Sequence, residues 1–443
     1  MIFEIDKQTI NDLELFETSK GKKSVISYFS YTKSIGGKEL LRKMFSNPLT
    51  DINLIEERIE FIKYFQNKPT TLEFDKEGLD MIEYYLTRQI DTSTFSILQS
   101  YLKAIKNAFI PSNEYYILQR GVKYLIVSLF QLYVYASKID DSDRTPTCIK
   151  HLKESIIETI DNTSLKAVLE IKERQKFLPH EYARLNLIFR RNEFRHIRRL
   201  IDITYEIDVY NSLAFAAQKH GFSLPAFENG SNCLEIKSLF HPFLENPVKN
   251  DFSLISAKRV CFITGPNMAG KSTFLKALSI SIYLAHLGFP VPASDFRTSL
   301  FNGLLTTVNL PDNIGNGYSH YYNEVLRIKH VANKLNELSN LFIVFDELFR
   351  GTNIKDAYEA SLAVINEFSK LNNSVFAIST HIIEVADKLK EIPSIFFKYF
   401  EANLIDETPH YNYLLKDGIT NERIGMYILK KEKVLETINN KFK

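Results

Sequence analysis

Apolar positions in the first half of the chain recur at intervals of three and four. Leu40, Leu41, Met44 and Phe45 make one set, and Ile52, Ile55, Ile59, Ile62 and Phe65 make the next. That spacing lays each set along one face of a helix. Asn47-Pro48-Leu49-Thr50-Asp51 separates the two as a turn, with Thr50 or Asp51 placed to cap the second helix. Glycine is scarce from residue 1 to 230, and the pattern predicts a helical half. From residue 233 the pattern changes. Arg259 to Ile263, Phe342 to Phe345 and Ser374 to Ile378 are short apolar runs that read as buried strands, and Phe274 to Leu284 reads as a helix. Strand and helix alternating in this way predict an α/β domain on a mostly parallel sheet. The loop Ala226 to Asn232 is the expected boundary, which gives a helical domain over 1–230, an α/β domain over 231–417 and a short helical segment over 418–443.

Between the first strand and its helix lies Thr264-Gly265-Pro266-Asn267-Met268-Ala269-Gly270-Lys271-Ser272-Thr273. Gly265, Gly270, Lys271 and Ser272 fit the phosphate-loop spacing G-x-x-x-x-G-K-[ST]. Such a loop aims backbone N–H groups and a positive helix end at one point, which suits a polyphosphate. Lys271 is placed to reach the β- and γ-phosphates of ATP, and Ser272 to ligate magnesium. About 75 residues further on, the strand Phe342–Phe345 ends in Asp346 and Glu347. Asp346 is the candidate second magnesium ligand, and Glu347 the group that orients or deprotonates the attacking water. His381, in Ser379-Thr380-His381, follows the next strand and is placed either to meet the γ-phosphate or the water, or simply to begin a solvated helix.

Composition narrows the partners. With 443 residues, 45% hydrophobic and 24% charged, the chain is of ordinary globular type. A net charge of +2 means that any nucleic-acid contact must come from a local patch. The best such patch is Arg184, Arg191, Arg195, Arg198 and Arg199. At 100° per residue these fall in about a 100° sector, with Phe194, Ile197, Leu200 and Ile201 opposite. The stripe reads two ways: as a surface tracking DNA phosphates, or as a solvated face paired with acids such as Glu173, Glu181 and Glu193. Cys148, Cys233 and Cys261 have no paired spacing, which predicts neither disulfides nor a zinc site. No apolar run approaches about 18 residues and the first residues carry no signal-peptide pattern, so a cytoplasmic protein without membrane segments is expected.

Taken together, these segments resemble the ATPase domain of the MutS mismatch-repair family. That family's loop reads T-G-P-N-M-x-G-K-S-T, with Asn267 and Met268 as the discriminating residues here. Ala285 to Ala293 is similar to its segment ending in V-P-A, Asp346 to Thr352 to its D-E-x-G-R-G-T signature, and Ser379 to His381 to its A-T-H. Residues 312–324, with Gly317, Ser319 and Glu324, resemble its trans-acting loop, whose serine approaches the nucleotide of the partner subunit. In the helical half, Ile5-Asp6, Thr9, Asp12 to Leu15, Thr32 to Gly36, Asn47 to Asp51 and Asp208 to Ala214 are similar, in order, to its core and connecting-helix segments.

The resemblance implies an ABC-like P-loop NTPase domain preceded by an all-α core or lever domain. It implies ATP and Mg²⁺, hydrolysis coupled to closure of a homodimer through the ATPase domains, and DNA, mismatched or branched, as partner. An ATP switch acting on a protein partner is the alternative. The family's N-terminal mismatch-reading domain and its connector domain have no counterpart in the sequence, and the interval from 65 to 205 is short for the inserted clamp. Ala269 and Phe349 stand where the family has glycine, Tyr318 and His320 replace trans-loop residues, and the C-terminal dimerisation segment is abbreviated.

Overall fold

The computed structural model describes all residues except 1, 18–21, 68–74, 88–112, 173, 175–176, 229–232, 255–257, 309–319, 350, 381, 406–407, 421–436 and 438–443. The chain forms two compact units. One comprises Met1–Phe29, Phe45–Ile59 and Ala216–Lys443, the other Ser30–Met44 and Glu60–Phe215.

The first unit holds β1 (Glu4–Ile5), β2 (Ala226–Phe227), β3 (Leu234–Leu239), β4 (Asn250–Leu254), β5 (Val260–Thr264), β6 (Asp295–Thr298), β7 (Gly303–Thr307), β8 (Leu341–Asp346), β9 (Val375–Ser379), β10 (Ile395–Ile405) and β11 (Thr408–Asp417). Seven of them form a sheet in the order β1-β7-β8-β9-β5-β10-β11, and β2-β6-β3-β4 form a smaller one. Every pairing in the larger sheet is parallel except that of β10 with β11. The mostly parallel sheet expected from the strand pattern is therefore present. β5, β8 and β9 are buried along their whole length, as continuous apolar runs must be when both faces of a sheet are covered. Register aligns Asp346 with Ser379 and Ser379 with Ile263, so β5, β8 and β9 end side by side.

Residues near the N-terminus are built into this sheet. Asp6 caps the helix Lys7–Asp12, accepting from Thr9 N at 2.8 Å, and also pairs with Arg327. Asp12, 3% exposed, accepts from the Thr306 hydroxyl at 2.8 Å and from Val308 N at 2.9 Å. Buried donors at the end of β7 are thereby satisfied by a carboxylate distant in sequence.

In the second unit the described elements are helices, among them Ile35–Phe45, Lys76–Thr87, Asn113–Ser137, Thr147–Asp161 and most of Phe194–His220. Asp208 fastens the chain before the first of these. Its carboxylate accepts from Lys33 N, Ser34 N and the Ser34 hydroxyl, the last at 2.7 Å. Gly37 lies so close that a Cβ there would stand 2.4 Å from Asp208 Oδ2. The helix Ile52–Asn67 opens as its pattern predicts, with Asp51 Oδ1 accepting from Asn53 N at 2.9 Å. Cys148 and Cys261 are buried free thiols, and burial pushes the Cys261 thiol up, the behaviour of a small apolar core residue. Among the described residues no helix is long and apolar enough to cross a membrane.

The helix Lys271–His286 ends in a fully buried imidazole. His286 Nδ1–H faces the Leu49 carbonyl at 2.9 Å and Nε2 accepts from Phe301 N at 3.1 Å, so its neighbours specify the neutral ring. Burial lowers its pKa from 6.5 to about 4. The unfolded chain takes up that proton below about pH 6.5 and the native one only near pH 4, so stability present above this window is lost as pH falls through it. The loss should approach about 3 kcal/mol. Urea unfolding between pH 7 and 4.5 should show that slope and should show it flattened in His286→Gln; identical profiles would contradict the neutral buried imidazole.

Candidate functional site

β5 runs into a loop whose backbone only certain residues tolerate. Gly265 has φ 147°, and a Cβ there would lie 2.9 Å from the Phe400 carbonyl oxygen, so both conformation and contact demand glycine. Met268 (φ 69°) and Gly270 (φ 106°) are also left-handed, and the helix begins at Lys271. Asn267 and Met268 are exposed at the crest, whereas Ala269 is fully buried. Lys271 is only 4% exposed and folds back into the loop. Its ammonium donates to the carbonyls of Gly265 at 2.7 Å and Pro266 at 3.1 Å, and Glu347 Oε1 is 3.8 Å away.

Glu347 follows β8 at φ 59°. Its N–H is held by Ser379, at 3.1 Å from the carbonyl and 3.2 Å from the hydroxyl oxygen. The same hydroxyl donates to Asp346 Oδ1, so one serine at the end of β9 braces both acids. Gly270, Lys271, Ser272, Thr273 and Glu347 line a cavity of about 700 Å³ together with Pro266, Asn267 and Met268. Asp346 is not in its lining but faces a smaller one of about 120 Å³. Among the described residues no three His, Cys, Asp or Glu side chains converge on a metal site. Ser272 lines the larger cavity and Asp346 the smaller one. Ser319, His381 and most of 418–443 lie outside the described residues.

Residues 261–441 match the family model of MutS domain V, and residues 8–214 match that of MutS domain III. The chain belongs to the MutS family. It is 26% identical over 515 aligned residues to the DNA mismatch repair protein MutS of Ehrlichia ruminantium (strain Welgevonden), covering 96% of this chain and 63% of that one. It is 23% identical to the DNA mismatch repair protein MSH3 of Saccharomyces cerevisiae (strain YJM789), covering 99% of this chain and 54% of that one. With the MutS of Aquifex pyrophilus the identity is 29%, over 51% of this chain and 26% of the relative. The chain thus spans less than two thirds of the length of these MutS relatives.

Of the four positions that depart from the MutS pattern, Ala269 and Phe349 stand where the family has glycine, and the structure describes both. The Ala269 methyl is fully enclosed. Phe349 takes φ 60° and buries its ring against Tyr321 with centroids 5.6 Å apart.

The far wall of the larger cavity could not be read from local sequence. It comprises Phe240, His241, Leu244, Val248, Phe400 and Tyr413, which sheet topology gathers from separate stretches of the first unit. Asn250 joins two of those stretches, accepting from Leu415 N at 2.7 Å and donating to the Tyr413 carbonyl at 3.0 Å. His241 is pushed down to about 4, first by burial and then by Lys276, so it presents a neutral ring at neutral pH.

One expectation about the basic stripe needs correction. Residues 184–199 do not form one regular helix. The helix Pro179–Leu187 passes into a π-helical turn over Ile188–Asn192, closed by Glu193 N donating to Ile188 O at 2.8 Å, and a new helix starts at Phe194. An i→i+5 turn abolishes the 100° phase that aligned Arg184 with Arg191 to Arg199. Arg184, Arg191, Arg195 and Arg199 are each exposed, while Arg198 pairs with Glu83 at 2.6 Å.

The loop geometry makes a specific demand on stability. Gly265→Ala should lower unfolding free energy by about 2 kcal/mol or more, from the left-handed φ and the Phe400 contact together. A urea midpoint equivalent to within about 0.5 kcal/mol of the parent would refute the close approach.

Proposed function

We propose that this chain binds ATP with Mg²⁺ on the loop Gly265–Thr273 and hydrolyses it as half of a homodimer, with turnover coupled to DNA held by the helical unit. The observation that carries the reading is the buried Lys271 ammonium, enclosed by the loop, with the Glu347 carboxylate 3.8 Å across from it. On this reading the first unit is an ABC-like P-loop ATPase, the helices form the core or lever domain, and 418–443 is the dimerisation segment.

Backbone N–H groups of the loop and the start of the helix Lys271–His286 would receive the phosphates. Lys271 would exchange the Gly265 and Pro266 carbonyls for β- and γ-phosphate oxygens. Ser272 and Asp346 would hold Mg²⁺, which when bound neutralises phosphate charge. Glu347 would accept a proton from the water whose oxygen bonds to the γ-phosphorus, as the bond to the β–γ bridging oxygen breaks and ADP leaves. The apolar wall at Phe240, Leu244 and Val248 suits the adenine ring. His381 belongs near the γ-phosphate and Ser319 at the partner chain's nucleotide by family resemblance. Relatives named DNA mismatch repair proteins, and the exposed Arg184, Arg191, Arg195 and Arg199, support DNA as the partner. Arg198 belongs to the same candidate set, though its pairing with Glu83 commits much of its charge.

Glu347→Ala should reduce ATP turnover by a hundredfold or more, on the order expected for loss of a general base, while retaining ATP and accumulating as a dimer. A variant that stays monomeric under saturating ATP in sedimentation would count against the two-chain site. For DNA, Arg191→Glu with Arg195→Glu should weaken duplex binding by roughly tenfold or more at low salt and flatten the dependence of log K on log[salt] by about two phosphate contacts. Unchanged affinity and slope in a fluorescence titration would remove these arginines from the interface.

A further inference from the structure

Glu347 lines both cavities, the one of about 700 Å³ over the loop and the one of about 120 Å³ behind it. Phe349 also walls the smaller cavity, opposite His320, Glu324 and Ile328 of the helix His320–Glu337. Glu347 and Phe349 both have left-handed backbones, at φ 59° and 60°. Two such residues within three positions persist only where the surroundings over-determine them. On the near side the turn is held by Ser379, through the Glu347 N–H. On the far side it is held by packing. The Phe349 ring is 4% exposed and lies 5.6 Å, centroid to centroid, from Tyr321. Gly351 presses on the same helical turn, where a Cβ would come within 2.5 Å of Tyr321 N and 2.9 Å of His320 Cβ.

We propose that Tyr321 and Phe349 are positioning residues for Glu347, a paired clamp that makes the hydrolytic carboxylate follow the first turn of the helix His320–Glu337. The aromatic pair fixes the turn that presents Glu347 to Lys271, and neither ring is in the lining of the larger cavity. It therefore governs the hydrolysis step and not nucleotide binding. A glycine at 349 would make the same φ without strain but would leave the turn without its ring contact, so this chain obtains by packing what a glycine cannot supply. The inference rests on the reading of Glu347 as the base.

The test uses the full-length chain with Tyr321→Ala, Tyr321→Phe, Phe349→Gly, their double Tyr321→Ala/Phe349→Gly, and Glu347→Gln alongside. Phe349→Gly is chosen because its backbone is at ease at φ 60°. Expected is a fall in kcat of about tenfold or more for Tyr321→Ala and Phe349→Gly, since displacement of about 1 Å at a reacting group is costly. The ATP Kd should stay within twofold, Tyr321→Phe should turn over like the parent, and the double variant should be no slower than the slower single one. Parent-like kcat in either single variant, or kcat and ATP affinity falling together, would overturn the clamp. Parent-like hydrolysis by Glu347→Gln would instead overturn the reading of the site. An inactive Glu347→Gln beside a fully active Tyr321→Ala would sink the clamp alone.

Discussion

The helix Lys271–His286 is the constraint on which the first unit is organised. Almost all of it is buried, polar residues included: Ser279 and Ser281 are fully enclosed and return their hydroxyls to the carbonyls of Leu275 and Ala277. Beyond its first two turns the helix has no solvent face on which to slide or rotate. Its start is fixed by the strained loop from Gly265 to Gly270. Its end is fixed by residues 45–58, where the Tyr283 hydroxyl donates to the Phe45 carbonyl, Leu49 N donates to His286 O at 2.8 Å, and Arg58 donates to the Leu287 carbonyl. Whatever binds at the loop therefore acts on a rigid rod whose other end is hydrogen-bonded to the segment Phe45–Ile59.

That rigidity makes the polar chemistry at the loop affordable. An ammonium as buried as that of Lys271 is costly unless its protons are satisfied, and two backbone carbonyls and a nearby carboxylate answer that cost. Asp346 and Glu347 are likewise kept in place by one serine, at the carboxyl ends of three adjacent parallel strands in the middle of the sheet. A crevice at the carboxyl ends of parallel strands is where open α/β sheets carry their ligands. Here two backbone carbonyls hold the Lys271 ammonium, while Ser379 holds the Asp346 carboxylate and the Glu347 N–H.

What was legible in the sequence was what is local. The loop spacing, the apolar runs of β5, β8 and β9, the carboxylates after β8 and the Asp51 cap each depend on residues within a few positions. What was illegible depends on topology. Phe240, Val248, Phe400 and Tyr413 share one cavity only because β3, β4, β10 and β11 are folded around the loop, and nothing in their own segments marks them. The π-turn at Ile188–Asn192 escaped for a different reason. It differs from an α-turn by one residue in hydrogen-bond register, and no proline or glycine in Leu187–Phe194 marks it. Phe349 could be seen as a departure from the family pattern, but its consequence could not, since Tyr321 precedes it by a whole helix and a strand.

The N-terminal residues carry the same lesson into the architecture. Asp6 both starts the helix Lys7–Asp12 and pairs with Arg327, while Arg327 donates to the Thr306 carbonyl at 2.7 Å and the Thr307 hydroxyl at 3.1 Å. Asp12 closes the same circuit through the Thr306 hydroxyl and Val308 N. Two carboxylates from the first dozen residues thus satisfy the end of β7 and the helix His320–Glu337, the two described elements that flank residues 309–319. A segment taken from 231 onward would keep every motif of the loop and of the acidic strand end. It would also leave Val308 N, the Thr306 hydroxyl and the Arg327 guanidinium without the carboxylates that now answer them, and unsatisfied buried donors are among the more expensive defects a fold can carry. The motifs of the loop and the satisfaction of the sheet that carries them are therefore separate properties of this chain, and the second depends on residues more than 200 positions away from those motifs.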